Sequence, residues 1–177
     1  MIHAISGIGL VRTNADWGRF VVRININAPK QMLYDAWATR AGMESWFLRL
    51  SEFKKRNGSM RDDTEPVEKG DTYKWLWHGW PDETVEYGEI IDLNETDRLQ
   101  FSFGKAGICT VQIKTEEGEN IVELTQEEIP TDEKSKQEFH VGCKTGWTFY
   151  LANMKSILEG GIDLRNKNEN LQRMLNS

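Results

Sequence analysis

The sequence predicts an α+β fold: a curved antiparallel β-sheet wrapped around one long C-terminal helix, with two short helices after the first strand. Three observations predict it. Apolar and polar residues alternate at period two in several short stretches, the signature of half-buried strands. The links "NETD" at 94–97, "GKAG" at 104–107 and "EEGEN" at 116–120 are turn-length, which suits an antiparallel meander because parallel strands need long crossovers. The last long stretch, 131–161, repeats large apolar residues every three to four positions, as one face of a helix does.

The 177 residues suit a single domain, and a hydrophobic fraction of 38% beside a charged fraction of 28% marks a globular chain. A formal charge of −6 without a long basic run argues against nucleic acid or an anionic membrane as partner. No apolar run approaches the roughly 18–20 residues of a membrane helix. The opening "MIHAISGIGLVRTN" lacks a basic region followed by a clean apolar stretch, so a signal peptide is not expected and a cytoplasmic protein is. Cys109 and Cys143 are too few for a disulfide framework and read as buried thiols.

Taken in order, "WGRFVVRININ" (17–27) sets Phe20, Val22, Ile24 and Ile26 against Arg19, Arg23 and Asn25, a half-buried strand. In 28–47 the period changes: Asn27 is a candidate N-cap, Pro29 suits a first helical turn, and Met32, Leu33, Ala36 and Trp37 form one stripe. Gly42 interrupts it, giving two short helices that end before Trp46 and Phe47. A strand is expected at 47–53. The segment 54–71 is dense in charge and turn formers and reads as a mobile surface loop, either a plain connection or a lid. Strands follow at 72–79, 83–92, 98–103, 108–115 and 120–129. The helix at 131–161 carries Phe139, Cys143, Trp147, Tyr150, Met154 and Leu158 on its apolar stripe and stops at Gly160 and Gly161. The domain therefore spans 1–177, with its core at about 17–161. The tail, 162–177, is expected to end in a short helix carrying Leu171, Met174 and Leu175, which folds back or meets a second copy; monomer and homodimer both stay open.

The candidate site begins with "YKWLWHGW" (73–80), where Tyr73, Trp75 and Trp77 stand on one face of an extended chain. Across from them, Gly142 and Gly146 lie one turn apart near the apolar stripe of the last helix, each costing about 0.5–1 kcal/mol relative to alanine. Either the helix backbone lies close on the sheet, or the missing side chains leave a volume beneath Trp75 and Trp77.

These motifs form a familiar series: "INAPKQMLYDAWAT" followed by "ESWF", then "KGDTYKW", "YGEIIDLNETDRLQFSF" and "GWTFYLANMKSIL". From about Val21 to Arg165 the chain resembles the helix-grip proteins of the START-like (SRPBCC, Bet v 1-like) superfamily, and within it the Hsp90-ATPase-activator-homologue family. The resemblance implies a curved sheet gripping a long helix, with a hydrophobic pocket or tunnel between them, and a possible chaperone partner or stress-related role. Relatives of this fold bind sterols, lipids or plant hormones, and others cyclise polyketides, so the fold implies no single activity.

Familiar catalytic signatures are absent. His3, His78 and His140 have no metal-ligand spacing, and there is no G-x-S-x-G, phosphate loop or dinucleotide fingerprint. No catalytic residue, metal or cofactor is assigned. The expectation is a small apolar or aromatic ligand held by Tyr73, Trp75, Trp77, Phe101, Phe103, Gly142, Gly146, Trp147, Tyr150 and Met154. His78, Glu86, Gln126 and His140 are the candidate polar groups nearby. The rivals are a co-chaperone working through its outer surface and a cyclase-like enzyme.

Overall fold

Among the described residues, seven strands form one antiparallel sheet in the order β1-β7-β6-β5-β4-β3-β2. They are β1 (Phe20–Asn25), β2 (Leu50–Lys54), β3 (Thr72–Leu76), β4 (Val85–Leu93), β5 (Arg98–Ser102), β6 (Ile108–Glu116) and β7 (Glu119–Glu127). The computed structural model describes residues 16–171 and 174–176, so the opening stretch read above for a signal peptide lies outside the described residues. Strands β2 to β7 follow one another as neighbours, and β1 closes the sheet against β7, with Phe20 opposite Gln126. The inner face carries Tyr73, Trp75, Leu99, Phe101, Val111, Ile113, Val122 and Leu124, all buried as their alternation predicts. Val22, Ile24, Trp77 and Phe103 are only partly buried against that core.

The two short helices are α1 (Lys30–Ala38) and α2 (Arg40–Trp46). Their break falls at Thr39, not Gly42. Thr39 is extended, and its hydroxyl donates to the Asp35 carbonyl at 2.9 Å and accepts from Gly42 N–H at 3.0 Å, so one side chain ends α1 and caps α2. Gly42 lies inside α2, where a Cβ would stand 2.1 Å from the Asp35 carbonyl oxygen; its job is the close approach of the two helices. Asn27 is not the N-cap of α1, which begins after Pro29 without a side-chain cap; the Asn27 backbone N–H donates to the Glu159 carboxylate at 2.8 Å instead.

The long helix is not uniform. An α-helical turn, α3 (Glu133–Ser135), is capped by Asp132 and runs into a π-helical stretch, Lys136–Val141, and then α4 (Gly142–Leu158). The wider π turns add a residue without lengthening the polar pattern, which no apolar periodicity announces. Trp147, Tyr150, Leu151 and Met154 of α4 are buried, and they meet Trp37 of α1 and the sheet.

Two segments depart from their sequence reading. Segment 54–71 is held down rather than loose. The Arg61 and Asp71 side chains are each 2% exposed and form a bidentate ion pair, with Glu65 and Glu68 adding contacts to the guanidinium at 3.0 and 3.1 Å. Val67 is buried, its N–H on the Ala38 carbonyl, and Arg61 N–H donates to the Phe53 carbonyl of β2 at 2.9 Å. The composition looked like solvated charge because the pairing that buries it joins residues ten positions apart.

The tail shows no helix among its described residues; Leu171, Met174 and Leu175 are exposed. It is instead a strap. Arg165 donates to the carbonyls of Glu44, Ser45 and Leu48 at 3.0, 2.8 and 3.0 Å, satisfying the C-terminal end of α2, and pairs with Asp163. Asn153 of α4 holds both sides, donating to the Trp46 carbonyl and accepting from Leu164 N–H, each at 2.7 Å.

Candidate functional site

Antiparallel register sets Ser51, Trp75 and Glu86 in one row across β2, β3 and the start of β4. Directly opposed residues project from the same face, and Trp75 points into the core, so all three belong to the concave side. This row carries an unusual polar load for an aromatic interior. The Trp75 indole N–H and the Ser51 hydroxyl are both buried without a hydrogen-bond partner, and so is the indole N–H of Trp37, whose ring stacks on Phe101. Buried polar groups are nearly always paired, and an unpaired one costs about 1–3 kcal/mol.

Around the row the rings close on one another. Tyr73 stacks on Trp75 with centroids 3.7 Å apart, and Trp75 meets Phe47 and Phe101 edge-on at 5.8 and 5.3 Å. Phe103, half-buried, lies 5.5 Å from Trp147 and 6.4 Å from Trp75. Gly88 makes the Tyr73 position available: a Cβ there would stand 2.4 Å from the phenol ring, which crosses β4 so that its hydroxyl donates to the Ser102 carbonyl at 2.5 Å.

Glu86 is the inner face's carboxyl. It takes a hydrogen bond from the Tyr87 backbone, and burial raises its pKa above the ordinary carboxylate range. The turn Gly104–Ala106 crowds it, since a Cβ on Gly104 would fall 2.4 Å from a Glu86 carboxylate oxygen. A group whose pKa is raised by folding binds its proton more tightly in the folded state. The folded state is then favoured at low pH, and that advantage is lost as pH rises through the folded pKa. Glu86→Gln should therefore raise the thermal midpoint at about pH 7.5, with the gap closing as pH falls through the unfolded value of about 4.3 and gone by about pH 3, where the carboxyl is protonated in both states. A gap that is absent at neutral pH, or that widens on acidification, would contradict this placement of Glu86.

The remaining candidates divide. Gln126 is buried and fully engaged, accepting from Trp147 Nε1 at 2.9 Å and donating to the Ala106 carbonyl at 2.8 Å, so it ties α4, β7 and the 104–106 turn together. Cys109 and Cys143 flank it, and burial pushes both thiols up, away from reactive thiolates. Met154 and Tyr150 are buried in the core, with the Tyr150 phenol pushed up to about 12 by desolvation. Trp77 packs on Phe47 at 5.9 Å. His78 lies in a surface groove with Arg49, Trp80 and Asp82, its pKa lowered by desolvation and then by Arg165. His140 sits on the opposite flank, 3.0 Å from the Trp17 carbonyl and edge-on to Phe20. Gly142 is exposed, and Gly146 lines an outer groove with Trp17, Val141 and Phe149, where a Cβ would meet nothing within 4 Å. Neither glycine lies beneath Trp75 and Trp77. Sequence reasoning missed Ser51 and Phe47; a register for β2 against β3 would have placed Ser51 beside Trp75. Among the described residues no three His, Cys, Asp or Glu side chains are arranged to hold a metal ion, and no helix is long and apolar enough to cross a membrane.

Residues 27–159 match the sequence profile of the "Activator of Hsp90 ATPase homolog 1-like protein" family. The chain belongs to this family. Solved structures agree with the family's fold. Protein SSP2350 from Staphylococcus saprophyticus is 19% identical with a TM-score of 0.63, over 83% of this chain and 96% of that one. The Aha1 dimer from Colwellia psychrerythraea is 20% identical with a TM-score of 0.59, over 81% and 97%. DynU16, from the dynemicin biosynthetic locus, is 18% identical with a TM-score of 0.61, over 85% of this chain and 50% of its own. No curated protein matches the sequence significantly. For this family member, the helix-grip architecture expected from the motifs is the architecture found.

Proposed function

We propose that the protein binds a small apolar or aromatic molecule, without transforming it, against the concave face of its sheet. The supporting observation is the row Ser51–Trp75–Glu86, in which unpartnered polar atoms stand inside a wall of aromatic rings. A pure core would gain nothing from them, whereas binding sites set a few polar groups in apolar walls to orient a ligand. Entry would run past half-buried Phe103 and the turn between Gly104 (φ +48°) and Gly107 (φ +97°), backbone that can reorient without moving a strand.

The test is direct. Native mass spectrometry of the purified protein should show a co-purified small molecule, or the protein should take up the neutral probe N-phenyl-1-naphthylamine one to one, quenching tryptophan emission. A bare mass together with no saturable quenching would remove the reading. A second reading is contact with an Hsp90-type chaperone, favoured by the family and by exposed Met60, Trp80 and Tyr87 on and beside β4. Saturating the probe site would leave such a contact intact.

A further inference from the structure

Among the described residues, the concave face carries a carboxyl, Glu86, with no ion-pair partner. Glu86 stands directly opposite Trp75, and the groups that interact with it from the elements packed around it are Tyr73 on β3, Cys109 on β6 and Cys143 on α4. None of these is a cation. The forces acting on its ionisation are burial and one backbone hydrogen bond, with no arginine or lysine among them. Other carboxylates that are partly or fully buried have side-chain partners: Asp71 is held by Arg61, Glu44 by Arg40 and Asp163 by Arg165, while Asp35 accepts from the Gln31 amide and Asp97 from the amides of Asn94 and Gln112. A lone carboxyl facing aromatic rings is thus a local exception.

Ligand charge is then decided by desolvation. A molecule seated against Trp75 and Phe103 removes the water that still reaches Glu86. A neutral molecule offers no compensation for that loss, and an anion adds repulsion. An organic cation restores the balance, with its charge on the carboxylate and its body among rings whose faces also attract cations. The chain's formal charge of −6 favours the approach of such a ligand. The indole N–H of Trp75, unpartnered and 1% exposed, is a second sign that this row is arranged for something besides packing.

We propose that Glu86 makes this site selective for aromatic amines, taking the ligand's ammonium on its carboxylate beside Trp75 and Phe103. This rests on the ligand-binding reading above and specifies its chemical class. Association is ionic, and no bond is made or broken.

A matched pair tests it: 2-naphthylmethylamine, cationic at about pH 8, and 2-naphthylmethanol, its neutral isostere, each titrated by tryptophan quenching into the wild type and Glu86→Gln. The wild type should bind the amine about ten- to a hundredfold tighter than the alcohol, and in Glu86→Gln the two affinities should come together. Equal affinities in the wild type would overturn the amine inference while leaving a ligand site in place. A preference that survives in Glu86→Gln would show that another group reads the charge and would remove Glu86 from the role. Binding of neither molecule would overturn both the selectivity and the ligand reading on which it rests.

Discussion

Asp71→Ala should destabilise the protein by about 3–5 kcal/mol, the usual cost of leaving one partner of a buried ion pair uncompensated. Asp71 accepts two hydrogen bonds from Arg61 and one from the Glu68 backbone N–H at 2.8 Å, and both charged side chains are 2% exposed. Alanine there strands a buried guanidinium. Glu65 and Glu68 reach the same group, but their more exposed side chains, 32% and 74%, hold it in water-screened contacts worth less. The measurement is urea unfolding, with a lower midpoint at unchanged slope. Arg61→Leu combined with Asp71→Leu should be less damaging than either single change, because no buried charge is left unpaired and Glu65 and Glu68 are exposed enough to be solvated. A single-variant cost below about 1 kcal/mol would mean that the segment is the surface connection its composition suggests.

Arg165→Ala should cost about 2–4 kcal/mol, since three carbonyls at the end of α2 lose their donor and Asp163 loses its main partner. Lysine should recover only part of this, because one ammonium cannot span the three carbonyls that the guanidinium fork reaches. The variant should also change the acid limb of stability. Burial alone would raise the Asp163 pKa, but hydrogen bonds from Arg165 and Lys167 overcome it and hold the carboxyl well below the ordinary range. A depressed carboxylate pKa contributes stability above the unfolded value of about 3.9, lost as pH falls through the folded value. Thermal unfolding between about pH 5 and pH 2 should therefore fall less steeply in Arg165→Ala than in the wild type. Parallel curves would show that the strap carries no such linkage.

The strands were legible because half-buried strands advertise themselves by alternation, and the stretches at 17–27, 98–103 and 120–129 each hold a strand of the sheet. What sequence could not carry was partnership. Arg61 and Asp71 look like surface until a fold brings them together, and Arg165 looks like tail until α2 ends beneath it. The site follows the same division. Trp75 and Glu86 could be named from their own stretches, whereas Ser51 needed the β2–β3 register. Gly142 and Gly146 were misplaced for a different reason. Each lies beside the buried stripe rather than on it, and a helical wheel resolves such a shift poorly when a π-helical stretch precedes the helix.

The pairing of the first strand with the last has a consequence for how the chain is made. Strand β1 leaves the ribosome well before β7, its one neighbour in the sheet among the described residues, and at ordinary synthesis rates the interval is on the order of ten seconds. During that time the rim of β1 that β7 will cover is unpaired in a nascent chain already carrying Phe20, Val22 and Ile24. Non-local closure of this kind makes folding slow, because the entropy of a long loop is lost before any contact rewards it. Arg19, Arg23 and Asn25, which face outward in the finished sheet, also break up and flank that apolar run with charge and amide while the strand waits.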